Sequence, residues 1–325
     1  MYKVFRIITF LFLALVLINC TEKKEKSNEK SILKFAVIPK GSTHVHWKRV
    51  HLGAEKAAKE LGDVEILWQG PQKEDDRQMQ IQVLQNFVSR KVDAIIVAPL
   101  DDKALIPSVN SAKTRNIPVI IFDSGLASTN YDAYVATDNF EGGRLCALRL
   151  ADQIGKKGNI IMLKYGEGSE STIKREAGFL EGLKEFPDIK IISGDQYSGA
   201  TFEKAMQVSQ NLLNKFGNPD GIFCSNETST MGMLRALELA GKAGKIKLVG
   251  FDINETLIKG IQNKILHGVA VQNPVQMGYQ SVKTAYAIIN KKEFKKNVDT
   301  GVTIVTAENL NDPKVQSIVY PDKNN

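Results

Sequence analysis

The chain has 325 residues, with 43 Lys+Arg against 36 Asp+Glu, 43% hydrophobic and 24% charged residues. That hydrophobic share supplies a packed core and excludes global disorder, and at about 100–200 residues per domain the length suggests two domains or lobes. Three cysteines exclude a disulfide framework, no CxxC pair offers a structural zinc, and a formal charge of +7 scattered along the chain does not mark a nucleic-acid binder.

Lys3 and Arg6 make a positive start, and residues 7–18 are then apolar apart from Thr9. The run falls short of the roughly 20 residues of a membrane span and fits a signal peptide over residues 1–19. It ends in Leu17-Ile18-Asn19-Cys20. This segment resembles the lipobox of bacterial lipoproteins, in which the cysteine is acylated and becomes the mature N-terminus, although Asn19 stands where a small residue is usual. An ordinary secretory signal with an incidental cysteine is the alternative. From Thr21 to Ser31, seven of eleven residues are Lys or Glu and none is large and apolar. Residues 20–31 are therefore expected to be the lipidated Cys20 followed by a flexible tether with nothing to bury.

From Ile32 onward, short β-branched runs alternate with helical periodicity. Strands are expected at Leu33–Pro39, Val64–Trp68, Val92–Ala98, Val119–Phe122, Asn159–Leu163, Lys190–Ser193, Gly221–Cys224, Lys247–Phe251 and Gly268–Gln272. Helices are expected at Trp47–Leu61, Arg77–Arg90, Gly142–Ile154, Ile173–Phe186, Phe202–Phe216, Met231–Ala240 and Val275–Asn290. Nearly continuous apolar strands imply parallel sheets covered on both faces by crossover helices. Cys146 falls in a helical pattern and Cys224 in a strand, so two separate buried thiols are expected rather than a disulfide.

The pattern also repeats. Val92-Asp93-Ala94-Ile95-Ile96-Val97-Ala98-Pro99 reads like Pro219-Asp220-Gly221-Ile222-Phe223-Cys224-Ser225-Asn226, and each is followed by a strand ending in Phe-Asp, at Phe122-Asp123 and at Phe251-Asp252. Two similar α/β lobes, each aiming strand ends at a shared cleft, is the economical interpretation.

At this point the chain resembles the periplasmic sugar-binding proteins of the ribose-binding type, whose two-lobe core is shared with the lactose-repressor family. The residues that carry the likeness are Pro118-Val119-Ile120-Ile121-Phe122-Asp123, Thr137-Asp138-Asn139 with Gly142-Gly143, Arg175-Glu176-Ala177-Gly178-Phe179, Asn226-Glu227, Val249-Gly250-Phe251-Asp252 and Val271-Gln272-Asn273-Pro274. The resemblance implies an α/β fold of two doubly wound parallel-sheet lobes joined by a three-strand hinge. The N-lobe would hold residues 32–137 plus 273–300, and the C-lobe 138–272 plus 301–325. It makes Asp123, Arg175, Asn226, Asp252 and Gln272 ligand contacts. Carboxylates accept from sugar hydroxyls while Arg and amides donate to them. Each has a structural alternative: the aspartates as helix N-caps, Arg175 as a surface ion pair, Asn226 in a turn and Gln272 bonded to hinge backbone.

Ribose-type receptors carry two stacking aromatics in the loop after the first strand, and His46 and Trp47 occupy those positions. Trp47 offers an apolar platform, with core packing as its alternative. Lys40 after Pro39 is similar to the Pro-Lys of the autoinducer-2 receptors. His44, His46 and His51 lie close together, but no partner cluster converges on them in sequence, so no metal is assigned. Where ribose receptors place an Arg, this chain has Ser124, and Ala200 stands near a third aromatic position, with Phe202 two residues on. These departures, with Lys40 and His46 as added donors, argue against ribose and for a ligand richer in acceptors, such as an acidic, open-chain or larger polyol.

The function implied is a lipid-anchored substrate-binding protein of an ABC importer, held at the periplasmic face of a bacterial membrane. It would serve permease and ATPase subunits as a monomer, closing on a sugar or other small polyhydroxylated solute. A sensor presenting a sugar or autoinducer-2-like signal to a membrane receptor uses the same closed lobes. A repressor would need a DNA-binding headpiece, and only the charged tether separates Cys20 from the first strand. The sequence has no G-x-S-x-G elbow, P-loop or H-E-x-x-H, so no enzyme activity and no cofactor are expected.

Overall fold

Every run expected as a strand forms one, and at 35–38, 94–97, 119–122 and 160–163 four consecutive apolar residues are buried, as they can be only inside a sheet covered on both sides. The computed structural model describes residues 31–321. The signal segment, Cys20 and most of the tether lie outside the described residues. No helix among the described residues is long and apolar enough to cross a membrane.

The first part of the chain runs β1 (Leu33–Ile38), α1 (Val45–Leu61), β2 (Val64–Trp68), α2 (Arg77–Ser89), β3 (Ala94–Val97), α3 (Ile106–Thr114), β4 (Val119–Phe122) and β5 (Ala133–Ala136). Then come α4 (Asn139–Gln153), β6 (Gly158–Leu163), α5 (Glu170–Leu183), β7 (Ile189–Ser193), α6 (Phe202–Phe216), β8 (Gly221–Cys224), α7 (Glu227–Leu239), β9 (Lys247–Phe251), α8 (Glu255–Gln262) and β10 (Gly268–Gln272). The chain ends with α9 (Pro274–Ile289), β11 (Asn297–Asp299), β12 (Val302–Val305) and α10 (Pro313–Val319).

These strands make two six-stranded sheets, ordered β11-β5-β4-β3-β1-β2 and β12-β10-β9-β8-β6-β7. All pairs are parallel except β12, which closes the edge of the second sheet antiparallel to β10. The chain passes from one sheet to the other after β5, after β10 and between β11 and β12. The first and third passages are stitched together: Thr137 Oγ1 donates to the Gly301 carbonyl (3.2 Å), and the Asp138 N–H donates to Asp299 Oδ1 (3.1 Å). The Asp138 side chain also accepts from the Glu141 N–H, so a hinge residue starts α4.

Each sheet has an apolar cluster on either face, with Phe35, Trp47 and Phe122 on one side of the first sheet and Phe87 and Leu105 on the other. Phe179, Phe223 and Phe251 fill one side of the second, where Phe179 and Phe223 stack at 4.1 Å. Cys146 and Cys224 are both free and buried, and burial pushes the Cys146 thiol up to about 12. The helix pair α4 and α5 crosses at two glycines. A Cβ on Gly143 would strike the Arg175 carbonyl, and one on Gly178 would strike that of Phe140. This close approach fixes where α5 presents Arg175.

Candidate functional site

Six strands deliver residues to one cavity between the lobes, just past the carboxyl ends of β1, β4, β6, β8, β9 and β10. Counting the space open to solvent, it holds about 380 Å³ of empty volume. Lys40, His46, Trp47, Asp123, Arg175, Asn226, Asp252 and Gln272 all line it.

Asp123 follows β4 and Asp252 follows β9. Each anchors its own N–H to the adjacent strand, Asp123 to the Val135 carbonyl (3.0 Å) and Asp252 to that of Ala270 (2.8 Å). Neither is an N-cap: Asn254 caps α8, accepting from the Leu257 N–H, and no helix begins beside Asp123. Asp123 sits 3.5 Å from Lys40 Nζ and 3.0 Å from His46 Nε2. Burial pushes its pKa up, but the Lys40 charge and the His46 contact outweigh that and hold the carboxyl well below the usual range. Burial works against His46 too, yet Asp123 raises its pKa.

Arg175 is buried, not a surface ion pair. Its Nε donates to Asn139 Oδ1 (2.8 Å) and its Nη1 to the Ser225 carbonyl (3.2 Å), with Asp252 Oδ2 at 3.5 Å. The guanidinium lies 3.8 Å over the Phe251 ring. Gln272, at the end of the strand that leads into the hinge, donates through Nε2 to Asp252 Oδ1 (2.7 Å) rather than to backbone. Its Oε1 is buried without a hydrogen-bond partner among the described residues. A buried orphan acceptor on a cavity wall is costly unless something else supplies the donor. Asn226 caps α7: its Oδ1 accepts from the Ser229 N–H (3.0 Å) in a capping box, while the residue still faces the cavity.

Ser124 stands off the cavity. It is fully buried, and its Oγ accepts the Ser171 N–H (3.1 Å) from the other lobe. The residue after Asp123 is therefore turned into the seam between lobes. Ala200 and Phe202 do not line the cavity either.

Several lining residues were not expected: His44 (weighed only as a metal ligand), Glu74, Tyr165, Ser169, Thr172 and Glu227. Glu74 lies in the polar loop after β2. It accepts the Trp47 indole N–H (2.6 Å), lies 2.9 Å from His44 Nδ1, and accepts the Tyr165 hydroxyl (3.0 Å). Trp47 is thus both a member of the N-lobe core and a cavity wall, edge-on to His46. Tyr165, two residues past the end of β6, is the C-lobe's aromatic in the cavity. Glu227 accepts from Asn254 Nδ2 (2.8 Å), and burial raises its pKa. The strand-end rule would have singled out Tyr165, but no motif marks Glu74.

Lys40 bridges the lobes, donating to Ser169 (3.4 Å) and Ser171 (3.1 Å). Four basic side chains, Lys40, His44, His46 and Arg175, face four acidic ones, Glu74, Asp123, Glu227 and Asp252. The surplus of donors expected to favour an acidic ligand is absent, because each cation already has a carboxylate beside it. His51 is spent elsewhere, against Glu55 and stacked on Trp68. Among the described residues no group of three His, Cys, Asp or Glu side chains is placed to hold a metal ion.

The periplasmic binding protein domain profile matches residues 35–293. The ribose import binding protein of Bacillus subtilis is 28% identical over 257 residues, covering 78% of this chain and 81% of that one. An ABC transporter solute-binding protein of Agrobacterium vitis, solved with bound D-fucose, is 36% identical with a TM-score of 0.85, covering 88% of this chain and 100% of that one. A carbohydrate transporter solute-binding protein of Agrobacterium radiobacter, solved with D-arabinose, is 31% identical at the same TM-score and covers 89% of this chain and 99% of its own. With the profile spanning most of the sequence, and the two-sheet architecture common to relatives above 30% identity, the chain belongs to the periplasmic binding protein family.

Proposed function

We propose that this protein is the lipid-anchored solute receptor of an ABC importer, closing on a small neutral sugar or sugar alcohol at the outer face of a bacterial membrane. One observation carries the reading: a small polar cavity walled by both lobes, where Gln272 keeps a buried acceptor without a partner beside Asp252 and Arg175. A polyol hydroxyl both donates and accepts, so it completes Gln272 and bridges the aspartates without bringing charge. The balanced lining favours neutral ligands over acidic ones, since a carboxylate would enter with no free counter-charge.

The relatives give the reading its chemical class. Besides the ribose protein, they include proteins named for xylitol and D-allose. Asp123, Asp252, Arg175, Asn226 and Gln272 are the residues we assign to ligand hydroxyls, with Trp47 and Tyr165 as aromatic walls. Cys20 is the assigned lipid attachment, and permease and ATPase subunits are the expected partners of the monomeric closed form.

Thermal unfolding across neutral pentoses, hexoses and alditols tests this. A ligand at a hundredfold its Kd adds about 2.7 kcal/mol, which raises Tm by about 4 °C in a chain of this size. No shift with any member, beside a clear shift with an anionic solute, would reject the neutral-polyol assignment.

A further inference from the structure

The segment joining β6 to α5 carries much of the contact between lobes. Arg77 Nη2 donates to the Glu167 carbonyl (2.8 Å), and the Asp102 N–H donates to that of Gly168 (2.9 Å). Gly168 sits at φ +80°, and a Cβ there would collide with the Asp101 carboxylate, so the approach requires glycine. At the start of α5, Glu170 Oε2 accepts the Gly125 N–H (2.8 Å). These bonds lie along the seam. Two contacts of the same segment reach the cavity itself: Ser169 Oγ accepts from Lys40 (3.4 Å), and the Tyr165 hydroxyl donates to Glu74 Oε2 (3.0 Å).

Glu74 belongs to the N-lobe, and so do Trp47 and His44, which share its Oε1. Those two bonds do not depend on where the C-lobe is. The Tyr165 bond does. When the lobes part, water can solvate Oε2. When they shut, an ionised oxygen is taken out of water, and Tyr165 supplies the donor that makes this tolerable. A carboxylate has two oxygens and only acceptor capacity, so its three donors come without internal competition.

We infer that Glu74 is a positioning residue that couples the ligand wall to closure: it sets Trp47 and His44 in the N-lobe wall and takes the Tyr165 hydroxyl only when the lobes are shut. This rests on the reading of the cleft as a ligand site, and nothing else assigns Glu74 a part in it. The burial of Glu74 would raise its pKa, but the His44 and Trp47 bonds hold it at about 2, so the carboxylate is charged at neutral pH. Ligand wall and latch are then one electrostatic unit, in which a shift of Trp47 changes the acceptor offered to Tyr165.

The test uses single-molecule energy transfer between dyes at Lys91 and Lys215, replaced by cysteine in a Cys20→Ser background; both positions are exposed, one in each lobe. Ligand-free protein is expected to show a measurable closed population. Tyr165→Phe and Glu74→Gln should each lower the closed-to-open ratio about tenfold. The double variant should lower it no further than the larger single effect, because the bond from the Tyr165 hydroxyl to an ionised oxygen is lost in all three and an amide at position 74 offers at most a weaker neutral one. An unchanged ratio in Tyr165→Phe, multiplying effects in the double variant, or no closed population in the parent protein would each overturn the inference. If Glu74→Gln fails to fold, Tyr165→Phe alone decides it, since only a hydroxyl is lost. Adding D-fucose, D-arabinose or xylitol gives a separate arm. Failure of every sugar to raise the closed population, with the tenfold effects intact, would count against the transport reading and leave the latch standing.

Discussion

Asp123 and Asp252 hold equivalent places in the two lobes: each follows a phenylalanine at a strand end with left-handed backbone, at φ +62° and +65°. That region costs a non-glycine residue about 1 kcal/mol or more, and Asp tolerates it better than most. Their surroundings differ. Asp123 is shared by two buried basic groups, Lys40 (3.5 Å) and His46 (3.0 Å), whereas Asp252 meets one, Arg175 (3.5 Å), and accepts from Gln272 Nε2 (2.7 Å). Asp252→Gly should therefore cost about 1–3 kcal/mol, chiefly by leaving the buried Gln272 amide unmet, while relieved backbone strain offsets the entropy of glycine. Asp123→Gly should cost about 3–5 kcal/mol by stranding Lys40 and His46. Urea denaturation compares the two, and equal losses would contradict this division.

Arg175→Lys tests the fork at the C-lobe wall. A lysine cannot serve Asn139 and the Ser225 carbonyl together while lying flat on Phe251. We expect a stability loss of about 1–3 kcal/mol from the buried acceptors left unmet. Affinity for any sugar that shifts Tm should fall at least tenfold, or about 1.4 kcal/mol. A lysine variant with parental affinity would remove Arg175 from the site.

The His44–Glu74 pair predicts a pH window. Burial pulls His44 down, but the Glu74 bond and charge outweigh it and raise the pKa from 6.5 to about 9. Because the folded value lies above the ordinary one, its stabilisation is complete below pH 6.5 and is lost as pH rises through 9. Glu74 is shifted the other way, from 4.5 to about 2, so its share is complete above pH 4.5 and is lost as pH falls through 2. The stability difference between the parent and His44→Gln should be largest from pH 4.5 to 6.5 and shrink toward pH 9. Denaturation at a series of pH values measures it; a constant difference from pH 6 to 10 would refute the pairing.

Cys20→Ser should release the protein from membranes without altering its unfolding midpoint, because the sequence from Thr21 to Ser31 offers no large apolar side chain to bury. Mass spectrometry of the mature N-terminus is the check. A start anywhere other than an acylated Cys20 would end the anchoring proposal.

The sheets were legible because their strands are long apolar runs, and the internal repeat announced two lobes. Three other strands were not. β5, β11 and β12 are three or four residues long, too short to show a period, and only β5 is mostly buried. Short helices such as α8 were missed for the same reason. Within the cavity, residues at strand ends could be found by topology, as Asp123 and Asp252 were. Ser124 could not, since which way its side chain turns depends on Ser171 arriving from the opposite lobe. Glu74 comes from a loop whose polar run looks like any solvated turn, and only the fold brings it to Trp47 and Tyr165.

Isothermal titration calorimetry of the parent protein and Asp252→Asn, over D-fucose, D-arabinose, D-allose, xylitol and D-ribose, tests the central claim most directly. The account predicts one-to-one binding of at least one neutral member, weakened at least tenfold in Asp252→Asn, with D-ribose about a hundredfold weaker than the preferred ligand. Absence of heat from every neutral sugar and alditol, or equal affinity in parent and variant, would contradict it.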